Sequence, residues 1–224
     1  NIGGSNGAPN TSTVQAGGNN PPTTSIANTE EFNVATTITT PATWSSGGNL
    51  NAARFKMEMN GTQTATIAMG GGTIPSPPSS TTNSEYYDGS SWTAQPAMNN
   101  SRQRGGAGAF GTQTAAMSVS GVRNPPAPSN TVTDTEEWNG SNWTSGGAVP
   151  SGRYSACFFG TQTAGVFAGG NPGPSNTGAT DSAEYNGSSF SAGNSMANGR
   201  YNATSGGTLT AGLVYGGYFP GAPL

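Results

Sequence analysis

The chain contains few of the residues on which enzymes most often rely. It has 224 residues, no histidine, one cysteine, and seven basic residues against ten acidic ones. Without histidine, a Cys–His nucleophile pair cannot form, and one cysteine is too few for a zinc site. The lone Cys157 cannot close an intrachain disulfide, and its position beside two phenylalanines predicts a buried structural thiol. We therefore expect a protein that is not an enzyme and that uses no cofactor.

Charge and hydropathy exclude further classes. Lys56 is the only lysine and the arginines are scattered, so the basic footprint of a nucleic-acid-binding protein is missing. No apolar run approaches the length of a membrane span. Leu, Ile, Val and Phe make up only about a ninth of the chain, which by itself is typical of disordered proteins. The net charge of −3 is too small for charge-driven disorder, and the periodicity described next favours a folded chain.

A repeat of about fifty residues dominates the sequence. The segment Gly-Thr-Gln-Thr-Ala at 61–65 recurs at 111–115 and 160–164, and with leucine in place of glutamine at 207–211. The boundaries predicted from this spacing give repeats 1–53, 54–103, 104–152 and 153–199 and a half-repeat 200–224. We interpret 1–224 as a single domain. Because the chain does not begin with methionine, we expect a processed or trimmed segment or a part of a longer chain.

Each repeat contains the pattern of four short strands. Alternation over 55–59 predicts a first strand, and Asn60-Gly61 predicts the hairpin turn after it. A second strand at 65–69 ends at a run of glycines, and a Pro/Ser/Thr-rich loop follows. A third strand at 85–87 and a fourth beginning at Trp92 complete the unit. Four antiparallel strands per repeat make one propeller blade, so we predict an all-β propeller with about four and a half blades.

Charged and aromatic residues recur in phase with the repeat. The arginines lie seven residues before the turn glycine and are Arg54, Arg104, Arg153 and Arg200. The phased acids are Glu31, Glu85, Glu137 and Glu184, and the phased tryptophans are Trp44, Trp92 and Trp143. We expect each arginine to pair with a carboxylate of its own or an adjacent blade, and the tryptophans to pack between blades. The alternative is a ring of arginines that grips an anionic ligand.

Several of these features together resemble a known repeat family. A glycine pair ends one strand, a Glu–aromatic pair lies in the next, a tryptophan follows, and an arginine opens the next unit, as in kelch repeats. The Gly-Thr-Gln-Thr-Ala turn and the turn Asn139-Gly140-Ser141-Asn142-Trp143 resemble more closely the kelch-like repeat proteins encoded by marine bacteriophages. The resemblance implies a kelch-like β-propeller in a non-enzymatic virion protein, a tail fibre or a capsid decoration. Its place would be the virion surface or the extracellular space.

The loops after the glycine pairs are the candidate binding surface. They span Ile74–Asn83, Arg123–Asn130 and Asn171–Thr180 and differ in sequence while their flanking strands stay in phase. We expect them to cluster on one face, because loops on a rigid scaffold commonly carry binding sites. The candidate residues are Ile74, Pro75, Pro77, Pro78, Pro125, Pro126, Pro128, Asn171, Pro172 and Pro174. The expected partners are other virion proteins, copies of the chain itself, or a host-surface glycan or protein.

Two other functions remain open from the sequence: a carbohydrate-binding or carbohydrate-processing module of a secreted protein, and a structural subunit of a secreted bacterial assembly. A glycosidase needs paired, environment-tuned carboxylates, whereas the acids here come one per blade, so we expect no hydrolase activity. Asp134 and Asp181 could contribute to a calcium site or could cap turns. The final half-repeat predicts an open sheet edge covered by more chain, by the N-terminal strand or by another subunit.

Overall fold

The protein is described by a computed structural model that covers residues 4–5, 12–20, 24–33, 43–74, 79–105, 111–123, 130–173 and 177–219. All helix or strand structure in these residues is β-strand, as the sequence predicts. No helix within these ranges is long and apolar enough to cross a membrane.

The strands follow the repeat. The first sheet contains β1 (Gly4–Ser5), β2 (Ser12–Asn20), β3 (Thr24–Asn33) and β4 (Thr43–Ser46). The second repeat contains β5 (Glu58–Thr62), β6 (Ala65–Met69), the small hairpin β7 (Gly72–Thr73) and β8 (Ser79–Ser80), β9 (Ser84–Tyr87) and β10 (Trp92–Gln95). The third contains β11 (Gly111–Thr112), β12 (Ala115–Val119), β13 (Thr135–Trp138) and β14 (Trp143–Gly146). The fourth contains β15 (Cys157–Thr161), β16 (Ala164–Ala168), β17 (Ser182–Tyr185) and β18 (Phe190–Ala192), and the last contains β19 (Thr204–Thr208) and β20 (Ala211–Tyr215).

Four of these groups form four-stranded sheets in which each strand pairs with its neighbour along the repeat. In the second repeat the order is β5, β6, β9, β10, and all three pairs are antiparallel. The last group is a two-stranded sheet. The predicted four antiparallel strands per unit are thus confirmed.

The glycine of each repeated turn lies within a strand and not at the turn. β5 and β6 pair as far as Thr62 and Ala65, which leaves Gln63 and Thr64 as the two-residue connection. The predicted turn at Asn60-Gly61 was therefore wrong. Gly61 has a φ of +124°, and a Cβ atom there would lie 2.1 Å from the carbonyl oxygen of Ala65. Only glycine fits such a position, which accounts for the recurrence of this residue.

The turn between the third and fourth strands is placed as predicted. β9 ends at Tyr87 and β10 begins at Trp92. Between them Asp88 Oδ1 accepts hydrogen bonds at 2.8 Å from the backbone N–H groups of Ser90 and Ser91. These bonds lower the pKa of Asp88 to about 2. The equivalent Asn139 and Asn186 make the same contacts, as Asx turns do.

In the described residues the hydrophobic core consists of three small clusters, each between two neighbouring sheets. The cluster between the first and second sheets contains Ala16, Leu50, Met57, Met59, Ala68, Tyr87 and Trp92. The next two contain, respectively, Ile67, Met69, Met98, Ala116, Trp138 and Trp143, and Met117, Val119, Val149, Ala156, Phe158, Phe167 and Tyr185. Alanine, methionine and aromatic side chains thus fill thin layers, and a high aliphatic content is not needed.

A line of backbone hydrogen bonds joins equivalent residues of successive units. The N–H of Arg104 donates to the carbonyl oxygen of Lys56 at 3.0 Å, that of Ser155 to Arg104 at 2.8 Å, and that of Asn202 to Ser155 at 3.1 Å. These four residues have φ between 52° and 57°, a region that non-glycine residues seldom adopt. We call this line the left-handed ladder; it repeats one geometric relation between successive units from the second to the last.

Candidate functional sites

An arginine closes the base of the variable loop in the second repeat. Arg54 Nη1 donates to the carbonyl oxygens of Gly70 at 2.8 Å and Asn83 at 2.9 Å, the two residues between which the loop runs. Its Nη2 donates to Glu85 Oε1 at 2.5 Å, and both side chains are almost fully buried. One cationic side chain therefore fixes both ends of the loop to the third strand of the same sheet.

The same arrangement recurs in the next two repeats. Arg102 Nη1 donates to the carbonyl oxygens of Ser120 and Asp134, and Arg153 Nη1 donates to those of Gly169 and Asp181. In the last repeat Arg200 Nη1 donates to the carbonyl oxygen of Gly216 at 3.1 Å. We call Arg54, Arg102, Arg153 and Arg200 the loop-base arginines.

The prediction of Arg104 as one of these arginines was wrong. Arg102 makes the equivalent contacts, whereas Arg104 belongs to the left-handed ladder two residues later. Gly61 follows Arg54 by seven residues, but Gly111 follows Arg102 by nine. A count of seven residues back from Gly111 therefore reached Arg104 instead of Arg102. The third repeat begins at Arg102 and not at residue 104.

The carboxylates that pair with these arginines lie at two positions, one within the third strand and one just before it. Arg102 Nη2 lies 2.9 Å from Glu136 Oε1 and 2.7 Å from Asp134 Oδ2. Arg153 pairs with Asp181. Asp134 also pairs with Arg123. The two aspartates proposed as calcium ligands or turn caps therefore serve as arginine partners, and the described residues contain no group of three or more acids and cysteines that could hold a metal.

Of the four phased acids, only Glu85 pairs with an arginine. Glu85 and Glu136 are equivalent. Glu31, Glu137 and Glu184 lie one residue further along their strands, at the position that Tyr86 occupies in the second repeat. The expectation that Glu137 pairs with an arginine was therefore wrong. Because successive strand residues point to opposite faces, a shift of one residue moves the carboxylate to the other side of the sheet.

This second acid position connects neighbouring units. The hydroxyl group of Tyr87 donates to Glu31 in the preceding repeat, and that of Tyr185 donates to Glu137 in the preceding repeat. Burial, followed by the contact with Glu137, raises the pKa of Tyr185 to about 12. Between the second and third repeats Trp138 Nε1 donates to the hydroxyl oxygen of Tyr86 at 2.5 Å. Each unit therefore offers a polar group to the third-strand aromatic of the next.

The glutamine of the repeated turn makes a further contact between units. Gln113 Nε2 donates to the carbonyl oxygens of Thr66 at 3.2 Å and Tyr87 at 3.0 Å, both in the preceding sheet. Gln162 reaches Ala116 and Trp138 in the same way. The recurrence of glutamine in the motif is the signal that could have indicated this role, and Leu209 replaces it in the last repeat.

Two of the three phased tryptophans pack between sheets as predicted. Trp92 Nε1 donates to Thr29 Oγ1 at 2.9 Å, and Trp143 Nε1 donates to Ser84 Oγ at 3.1 Å, in each case in the preceding repeat. Trp44 was wrongly expected to do the same, because its side chain is 55% exposed. It belongs to the first repeat of the sequence.

Three further titratable groups lie at unit boundaries. The Glu58 side chain is half-buried, and desolvation of its carboxyl group raises its pKa to about 8 despite the nearby Arg102. A Cβ on Gly105 would lie 1.5 Å from Glu58 Oε1, so glycine makes room for the carboxyl group. Burial, and the charge of Arg104, lower the pKa of Lys56 to about 8. Burial raises the pKa of Cys157 to about 11, which fits the structural thiol predicted there.

The candidate binding loops are described only at their ends. Ile74 and Pro172 are exposed, whereas Asn171 is fully buried and its Oδ1 accepts a hydrogen bond from the N–H of Gly173. Asn171 therefore holds the loop start and does not offer its side chain to a partner. Pro75, Pro77, Pro78, Pro125, Pro126, Pro128 and Pro174 lie outside the described residues.

The three loops leave and re-enter their sheets in the same way. Gly70, Ser120 and Gly169 each donate a backbone hydrogen bond to the residue at the far end of the loop, Asn83, Asp134 and Asp181 respectively. The next residue, Gly71, Gly121 or Gly170, donates to the backbone of the following loop-base arginine. The loops thus occupy equivalent positions relative to their sheets.

No protein-family model matches the chain, and no curated protein matches it significantly.

Proposed function

We propose that the chain is a kelch-like β-propeller that serves as a rigid, non-enzymatic display scaffold in a virion appendage or capsid decoration. The loops between the second and third strands would contact a host surface or a neighbouring virion protein. The observation that carries this proposal is the recurring contact of a loop-base arginine with the backbone at both ends of a loop. These contacts keep the base of each loop constant while the sequence between the two ends varies.

The scaffold part of the proposal is supported by the contacts between units. The boundaries between the second and third and between the third and fourth units each combine a glutamine contact, a contact of the third-strand aromatic and one bond of the left-handed ladder. The first boundary has the Tyr87–Glu31 and Trp92–Thr29 contacts, and the last boundary has a ladder bond. Repeated nearest-neighbour interfaces of this kind are characteristic of repeat architectures. They would hold successive loops at fixed distances from one another, which suits a surface that binds through several loops.

The non-enzymatic part is supported by the contacts of the acids. Glu85 and Glu136 are buried against arginines, and Glu31 and Glu137 accept hydrogen bonds from tyrosines of the next unit. Asp134 and Asp181 are also paired with arginines. These carboxylates are engaged in contacts within and between the sheets, whereas a glycosidase requires two that face a substrate.

Loop replacement tests the proposal. A variant in which short Gly/Ser turns replace the interiors of all three loops, with the loop-base arginines and their carbonyl partners kept, should fold normally and lose attachment or assembly. The matched control replaces the exposed turn residues Thr64, Thr114 and Thr163 with alanine, since these lie at the opposite end of the second strands. Normal attachment and incorporation into virions by the shortened variant would place the functional surface elsewhere. Antibody labelling of intact virions in electron micrographs tests the location independently.

A further inference from the structure

Two residues of the left-handed ladder, Lys56 and Arg104, carry positive charges that no acid neutralises. All ten acidic residues of the sequence lie in the described ranges, and none has a carboxylate oxygen within 4.0 Å of the Lys56 ammonium or the Arg104 guanidinium group. Every other basic residue except Arg200 pairs with a carboxylate. We call Lys56 and Arg104 the ladder cations; the acids of the chain leave both charges to a ligand.

The ladder cations lie side by side in successive units. The N–H of Arg104 donates to the carbonyl oxygen of Lys56 at 3.0 Å, so the two side chains start from adjacent points. Burial, followed by the charge of Arg104, lowers the pKa of Lys56 to about 8. Like charges held together cost free energy, and an anion beside them offsets this cost because it favours the charged form of each group.

The backbone conformation at these positions does not favour long cationic side chains. Lys56 has a φ of 55° and Arg104 a φ of 57°, a region in which Asn, Asp and His are the enriched residues after glycine. Asn202 occupies the equivalent position in the last unit. Non-glycine residues held in this region cluster at sites that clamp ligands. The ladder bonds explain the backbone conformation, but they do not explain why two successive units carry a cation there.

Both cationic groups reach the surface from a buried segment and rest on aromatic rings. The residues on either side of each ladder cation are buried, whereas the ladder cations are half-buried. Lys56 Nζ lies 5.1 Å from the ring centre of Phe55, and the Arg104 guanidinium carbon lies 5.4 Å from that of Tyr154. A ring face supports a cation without using its N–H donors in ordinary hydrogen bonds. An arginine can offer two parallel N–H donors to the oxygens of an anion.

The ladder cations lie beside the starts of two variable loops. Phe55 exchanges two backbone hydrogen bonds with Gly72, at 3.0 and 2.7 Å, just before the loop of the second repeat. Gln103 exchanges two with Val122, at 3.0 and 2.9 Å, just before the loop of the third repeat. These two residues directly precede the ladder cations, so the cationic pair belongs to the loop bases and not to the end of the sheets that carries the repeated turns.

We propose that the ladder cations bind an oxyanionic group, the carboxylate or sulfate of an acidic ligand, beside the bases of the second- and third-repeat loops. Arg104 would donate to two oxygens of the group, and Lys56 would supply the second positive charge. Because the net charge of the chain is −3, this recognition depends on the two groups at short range and not on a basic surface. The proposal does not depend on the display function of the loops, since a free oxyanion would bind there whatever the loops contact.

The lysine itself supplies the probe for the test. Lys56 is the only lysine of the sequence, so reductive methylation with isotope-labelled formaldehyde gives one lysine side-chain NMR signal and keeps the positive charge. The intact protein is titrated with sodium sulfate, sodium acetate or sodium chloride at equal ionic strength. Sulfate or acetate should shift the signal saturably and raise the pKa of Lys56 above its value of about 8, because a bound anion favours the ammonium form. The oxyanion that binds more tightly identifies the acidic group of the ligand.

Substitution of the second cation tests the pairing. Arg104→Gln should weaken oxyanion binding about tenfold, which corresponds to about 1.4 kcal/mol, whereas Arg104→Lys should retain most of it. The control Arg200→Gln removes another arginine charge without a carboxylate partner, but away from the ladder cations, and should leave the titration unchanged. If Arg104→Gln impaired folding, the comparison of salts on the unaltered protein would decide. Equal shifts with all three salts, or undiminished oxyanion binding by folded Arg104→Gln, would overturn the proposal.

Discussion

Arg102 and Arg104 lie two residues apart, and the structure assigns them very different contributions to stability. Arg102 is 1% exposed and contacts Glu136, which is equally buried, together with Asp134 and two loop-base carbonyl oxygens. Arg102→Met would leave Glu136 buried with only the backbone N–H groups of Asn99 and Asn100 as partners. Removing one member of a buried ion pair costs about 3–5 kcal/mol, or roughly 6–20 °C in Tm for a chain of this size.

Arg104→Met is the matched comparison. Arg104 is half-buried, its guanidinium carbon lies 5.4 Å from the ring centre of Tyr154, and its charge opposes that of Lys56. Loss of a cation–π contact of this kind costs about 0.5–1 kcal/mol. Urea denaturation of both variants measures the difference directly. Equal destabilisation by the two substitutions, or a larger effect of Arg104→Met, would refute the assignment of Arg102 as the loop-base arginine.

A double variant separates the ion pair from general packing. Arg102→Met with Glu136→Gln no longer buries an unpaired charge, so it should be more stable than Arg102→Met alone. If the second substitution destabilised the protein further by its full single-variant cost, the two side chains would not be coupled, and the reasoning from the buried pair would fail.

Three further outcomes follow from the titratable and aromatic groups. The pKa of Glu58 is about 8 in the folded chain against 4.5 ordinarily, so between these pH values the folded state binds more protons than the unfolded state. The free energy of unfolding should therefore fall as the pH rises from about 4.5 to about 8. In urea denaturation curves measured across this range, Glu58→Gln should remove this part of the fall. Cys157, with a pKa raised to about 11 by burial, should react with a thiol reagent at pH 8 far more slowly in the folded than in the urea-unfolded protein, and equal rates would contradict its burial. Trp44 is 55% exposed whereas Trp92 is 6% exposed, so iodide should quench a fluorescence component that Trp44→Phe removes and Trp92→Phe does not.

The sequence predicts the strands well because their signals are local. The glycine run placed the end of β6, the Glu-Tyr-Tyr segment placed β9, and Trp92 placed the start of β10. Alternation over 55–59 predicted the first strand three residues too early, because β5 spans Glu58–Thr62. The turn after β5 was missed because Asn-Gly is a strong turn signal at a site where the glycine serves a strand with positive φ. The local sequence thus predicted a turn at Gly61, whereas this glycine lies within β5 and the chain turns at Gln63 and Thr64.

The contacts between units were predicted less well because they depend on register across sheets. Glu137 lies one residue further along its strand than the position equivalent to Glu85. A count of the spacing between repeats does not show on which face of the sheet each side chain lies. Trp44 has the same local sequence pattern as Trp143, yet Trp143 is 7% exposed and packs on the preceding repeat, whereas Trp44 is 55% exposed. Gln113 bonds only to the backbone of the preceding sheet. The one sign of this contact in the sequence is that glutamine recurs at this position.

The location of the core between sheets has a consequence for how the molecule comes apart. No cluster belongs to a single sheet, so a unit that opens also uncovers apolar surface on its neighbours. Stability is then a sum of nearest-neighbour terms, as in a one-dimensional chain of coupled elements. The two-stranded sheet of β19 and β20 meets a neighbour on one side in the described chain, so amide hydrogen exchange should begin there and advance inward along the repeats one interface at a time.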